Sequence, residues 1–108
     1  MRIETGLRIA LLSLGFLMAG SAQAAGDVSV GRDKAFTCMG CHAVPSYTNS
    51  YPTYYVPKLG GQHAAYLVSA LQAYKNGQRG HATMHAQAAN LSDQDMEDIA
   101  AYFESRSE

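Results

Sequence analysis

The chain has 108 residues, with eight Lys and Arg against nine Asp and Glu and a formal charge of −1. That length holds a single domain. The lack of any basic surplus argues against a nucleic-acid partner, which would call for a cationic face.

The first segment does not read as part of that domain. Arg2 and Arg8 flank a short polar start, an apolar stretch runs from Ile9 to Met18, and small residues follow to Ala22-Gln23-Ala24. A basic start, an apolar core of about ten residues and an A-x-A site describe a cleavable export signal. The expected division is therefore a signal over 1–24 and one domain over 25–108. An uncleaved anchor is the alternative, but a spanning helix needs about 20 apolar residues. Residues 7–25 approach that only by counting Ser13, Gly15, Gly20, Ser21 and Gln23. Cleavage after Ala24 leaves 84 residues (108 minus 24) and a charge of 6 minus 8, or −2. So small a domain needs a disulfide, metal or cofactor to complete its core.

A short first helix is expected over Asp27 to Thr37, with Val30, Ala35 and Phe36 as its apolar positions. It leads into Cys38-Met39-Gly40-Cys41-His42, which contains both cysteines of the chain. C-x-x-C-H is the attachment pattern of haem c. Each thiol adds to one vinyl group of the porphyrin, and two intervening residues let both sulfurs reach one ring edge. The next residue, His42, then places its imidazole under the iron. Three other chemistries compete. A disulfide across two residues closes a loop too small to stabilise much. A thioredoxin-like pair needs a βαβ context, and no strand pattern surrounds this one. A zinc site could recruit His81 and His85, but the gap from Cys41 far exceeds the usual dozen or so residues.

A polar, turn-rich loop is expected from Ala43 to Gly61, containing Pro45, Pro52, Pro57, Gly60 and Gly61. Gln62 to Asn76 then carries Leu67, Ala70, Leu71 and Tyr74 at helical spacing, with Gly77 just past its end. A second loop, Gln78 to Asn90, holds Met84. The last helix starts at Ser92, where Ser-Asp-Gln-Asp reads as a capping box, and buries Met96, Ile99, Ala100 and Phe103. The expected fold is all-α, three to four helices wrapped around one covalently bound haem.

This arrangement resembles the class I cytochromes c, and within them one lobe of the c4-type and short c553-type cytochromes of bacterial periplasms. The resemblance covers the whole 25–108 domain and rests on Gly31 to Cys38, Pro57-Lys-Leu-Gly-Gly-Gln62, Tyr66-Leu67, Tyr74-Lys75-Asn76-Gly77-Gln78-Arg79, Met84, and Leu91 to Asp95 followed by Ala100 to Phe103. It implies that the Pro57 carbonyl holds the His42 ring and that Met84 is the second axial ligand. Two features depart from the pattern: the chain has one C-x-x-C-H where di-haem members have two, and Val44 to Val56 lacks their glycine-rich run.

Five methionines are present. Met1 and Met18 belong to the signal, Met39 lies inside the attachment turn, and Met96 falls on the apolar stripe of the last helix. Met84 is thus the leading ligand candidate, with His85, His81 and His63 as alternatives. A thioether opposite histidine raises the potential and closes the iron to substrate. The expected activity is therefore single-electron transfer in the periplasm and not catalysis. The expected partners are a redox donor and acceptor, membrane respiratory complexes or periplasmic oxidoreductases, met by transient docking. A haem enzyme or sensor with an open distal site and a haem-free metal-binding domain are the competing classes. Tyr47, Tyr51, Tyr54 and Tyr55 either pack the proximal loop or form a docking surface.

Overall fold

A computed structural model describes residues 25–106, so the expected export signal lies outside the described residues. Five helices and one small hairpin make up this part. Helix α1 spans Val28–Lys34 and is capped by Asp27, whose carboxylate accepts the N–H groups of Ser29 and Val30 at 2.8 and 3.1 Å. The chain turns at fully buried Ala35 and continues as α2, Phe36–His42. The single helix expected over 27–37 is thus two, and the second runs through the whole C-x-x-C-H motif. That continuation has a geometric consequence. Cys38, Cys41 and His42 stand at i, i+3 and i+4, which share one helix face.

Strands β1 (Thr48–Ser50) and β2 (Thr53–Tyr55) pair antiparallel, with Thr48 opposite Tyr55 and Ser50 opposite Thr53. A loop was expected here. Three-residue strands are too short to write an alternating pattern, although Thr and Tyr suit an extended backbone. Helix α3 spans Ala64–Lys75 and stops at Gly77, whose φ of 75° is the left-handed conformation that ends helices. Helix α4, Ala82–Ala88, occupies most of the segment expected to be a second loop. Its sequence is Ala-Thr-Met-His-Ala-Gln-Ala, of which Ala88 alone is buried, so it carries almost no apolar stripe to read.

Helix α5, Asp93–Ser105, starts at the expected capping box. Asp95 N–H donates to Ser92 Oγ at 3.1 Å, and Ser92 N–H to the Asp95 carboxylate at 2.9 Å. Its Met96, Ile99, Ala100 and Phe103 are buried as the spacing required, joined by Asp98 and Tyr102. Ile99, Ala100, Tyr102 and Phe103 form the core with Ala35 of the α1–α2 turn and Leu67 of α3. α1 crosses α5 at very close range, because a Cβ on Gly31 would lie 1.8 Å from the Asp98 carbonyl oxygen. Only glycine permits that approach. The crossing is locked by Lys34, whose Nζ lies 2.7 Å from Asp95 Oδ1 and 2.6 Å from Asp98 Oδ2. Asp98 also accepts the Asp27 N–H at 2.8 Å and the Gln94 amide at 2.9 Å, so its burial leaves no oxygen unpaired.

Candidate haem site

A cavity of about 530 Å³ opens between α2, the hairpin, α3, α4 and α5. The core side of its wall is apolar, with Leu67, Leu71, Ile99 and Phe103 contributing. Five sequence-predicted site residues line it together: Cys38, Cys41, His42, Pro57 and Met84. Cys38 and Cys41 are not joined in a disulfide. Burial raises the Cys38 thiol above its ordinary pKa.

His42 Nδ1 lies 2.7 Å from the Pro57 carbonyl oxygen. A carbonyl can only accept, so Nδ1 carries the proton and donates it. The ring is thereby held as the tautomer whose Nε2 lone pair is free, the form a metal requires. The hydrogen bond implied by the family resemblance is present, and a proline at 57 presents that carbonyl in an extended segment where its own missing N–H costs nothing.

Met84 reaches the same cavity from the first turn of α4 and not from a loop. His81 sets its position: the imidazole Nδ1 accepts the Met84 N–H at 3.3 Å and caps α4. Tyr54 of β2 packs edge-on against the same imidazole, with ring centroids 4.7 Å apart, and its hydroxyl donates to Thr83 Oγ1 at 3.2 Å. The hairpin is therefore a brace for the Met84 turn, a role the sequence alone did not show. The histidine alternatives separate clearly. His63 and His85 do not line the cavity, and His85 Nδ1 donates to the Tyr74 carbonyl at 2.8 Å. His81 lines it but is engaged as the α4 cap. Among the described residues no cluster of three or more His, Cys, Asp or Glu is placed to hold a metal ion.

Sequence reasoning missed Val56 and Leu59, apolar cavity residues inside the segment it treated as polar loop. Their placement beside Pro57 was the available signal. The site's chemistry fits a haem on this chain's own features. Two thiols and an imidazole lie on one helix face, the imidazole tautomer is fixed, a thioether lines the same cavity, and the core-side wall is apolar.

The cytochrome c family profile matches residues 31–107. Cytochrome c4 of Pseudomonas aeruginosa is 45% identical over 96 residues, which cover 89% of this chain and 45% of that protein. Cytochrome c-554(548) of Halomonas halodenitrificans is 45% identical over 85 residues, covering 76% of this chain and 99% of that protein. The chain thus spans about half the length of its cytochrome c4 relatives and the full length of the shorter one. Among solved structures, reduced recombinant cytochrome c4 from Pseudomonas stutzeri superposes with a TM-score of 0.58 at 30% identity, over 78% of this chain and 53% of that one. Acidithiobacillus ferrooxidans cytochrome c4 gives 0.56 at 26% identity, over 77% and 52%. With the attachment motif, the ring-holding carbonyl and the helical cage all in place, this chain belongs to the cytochrome c family, whose members carry electrons on a covalently attached haem c and its iron.

Proposed function

We propose that the chain is a periplasmic single-electron carrier, holding one haem c through Cys38 and Cys41, with His42 and Met84 as the axial ligands. When bound, the haem supplies the one-electron iron couple. The protein's part is positional. Cys38 and Cys41 anchor the group on the α2 face, and Pro57 orients His42 so that Nε2 faces the cavity. His81 and Tyr54 hold the turn that presents the Met84 thioether. With His42 and Met84 both holding the iron, no position would be left for a substrate, which favours carrying over catalysis. The observation that carries the reading is the shared cavity of Cys38, Cys41, His42 and Met84, with the His42 tautomer set by Pro57.

The signal-like segment over 1–24 supports export, and no described helix is long and apolar enough to cross a membrane. Mass spectrometry of protein recovered from the periplasm should give an 84-residue chain starting at Ala25. Donor and acceptor are redox proteins met transiently, such as membrane respiratory complexes or periplasmic oxidoreductases. Carbon monoxide tests the closed site: ferrous protein at neutral pH should keep its spectrum under the gas while still exchanging electrons reversibly at an electrode. Ready carbon monoxide binding would replace the carrier with a sensor or enzyme.

A further inference from the structure

A second hollow lies on α5, and none of its lining residues also lines the haem cavity. Helix α5 supplies Glu97, Ala101 and Glu104, which stand at i, i+4 and i+7 on one helix face. Ala64, the first residue of α3, also lines it, as do Ala25 and Gly26 from the segment that enters α1. The two glutamates are the only ionisable side chains in this lining. Glu104 Oε1 accepts the Ala64 N–H at 3.0 Å, which fixes that carboxylate at the start of α3 and leaves its second oxygen open. Glu97 is half-buried and has no hydrogen bond or ion pair among the described residues.

The chain is held against this part of α5 right up to the expected cleavage point. A Cβ on Gly26 would lie 1.9 Å from the Glu97 carbonyl oxygen, a closeness that glycine alone allows. One residue on, the Asp27 N–H donates to Asp98 Oδ1 at 2.8 Å. These two contacts keep Ala25 beside Glu97, and its methyl group is too short to fill the hollow. Hydrolysis of the Ala24–Ala25 peptide bond consumes one water and leaves a carboxylate on Ala24 and an ammonium on Ala25. A neutral amide nitrogen with one N–H becomes a cation with three.

We propose that the hollow is a binding site for the mature chain's own N-terminus, in which the Ala25 ammonium pairs with Glu97 and the open oxygen of Glu104. The inference rests on the reading of 1–24 as a cleaved signal. Cleavage then creates the charge that ties the entry to α1, across α5, to the start of α3. Other charged groups nearby are already committed. Asp98 is matched by Lys34, the Asp27 carboxylate caps its own helix, and His63, just before α3, does not line the hollow. The N-terminal end of α1 adds only a partial positive charge, which two full negative charges outweigh.

Haem-loaded protein taken from the periplasm tests this. Mass spectrometry fixes the N-terminus, and the α-amino group is then titrated in the ferrous state by NMR after reductive 13C-methylation, beside a short peptide with the same first residues. An α-amino group ordinarily titrates at about 7.7–8.0. Pairing raises the protein's value at least about 0.5 above the peptide's, and salt between about 10 and 500 mM brings it back down. Glu97→Gln/Glu104→Gln should remove the rise. One Gly placed before Ala25 should remove it too, because it moves the ammonium by about 3.8 Å at unchanged net charge. Asp33→Asn, outside the hollow, should keep it. If the double variant does not hold its haem, the Gly-extended protein and the salt series still decide. A titration that matches the peptide, or a rise that survives the added Gly, overturns the proposal and leaves the cleavage reading intact. A mature chain that starts at any residue other than Ala25 overturns both.

Discussion

Two methionines show how position decides what one side chain does. Met84 lines the cavity in the first turn of α4, while Met96 is fully buried on α5 outside the cavity wall. Met84→Ala should abolish the far-red sulfur-to-iron band of the ferric protein, lower the reduction potential and admit carbon monoxide. Met96→Ala should cost about 2–5 kcal/mol in a denaturant titration and leave the spectrum unchanged. An unaltered band in Met84→Ala would place the ligand elsewhere, with His81 the next cavity-lining candidate. Cys38, Cys41 and His42 stand out in the sequence because attachment chemistry dictates their spacing, whereas Met84 came from elimination among the methionines and from the family resemblance. The role of His81 was not legible there, since capping α4 depends on a helix with no apolar stripe to announce it.

At the scale of elements, the α1–α5 crossing carries the testable strain and the titrating charges. Gly31→Ala would drive a Cβ to within 1.8 Å of the Asp98 carbonyl oxygen, which is backbone and cannot swing aside. α1 must then move off α5, and a loss of about 1–3 kcal/mol or more is expected in chemical denaturation. The Lys34 ammonium holds the Asp95 carboxyl down to about 2, with the Ser92 cap adding to it, and lowers Asp98 as well. Carboxylates depressed in the folded state contribute stability that is complete above their ordinary value of 3.8 and is lost as pH falls through the folded value. The raised Lys34 works at the other end, contributing below 10.5 and losing its effect as pH rises beyond it. Thermal melts of wild type and Lys34→Met should therefore differ most near neutral pH and converge as pH falls from about 4 toward 2. A constant gap across that range would show that the Lys34 stem packs and that its charge contributes nothing.

For the molecule as a whole, the cavity near the centre of so small a domain makes the fold dependent on what fills it. A space of about 530 Å³ takes the place of much of a core, and the buried side chains around it are few. Haem-free Cys38→Ser/Cys41→Ser protein should lose most of its helical signal in far-UV circular dichroism, because the remaining apolar contacts do not offset the entropy of ordering the chain. Native-like helix content in that variant would mean that the polypeptide organises itself. In the haem-loaded protein, acid and organic solvent should leave the colour with the polypeptide, since unfolding does not break thioether bonds.

By itself the sequence determined the C-x-x-C-H pattern, the two longer apolar patterns and the helical class, because each follows from short-range spacing: i, i+3 and i+4 for Cys38, Cys41 and His42, and helical periodicity for α3 and α5. Tertiary structure decided the rest. The helix through the motif, the two strands of the hairpin at 48–55 and helix α4 lack a readable period, being three to seven residues long.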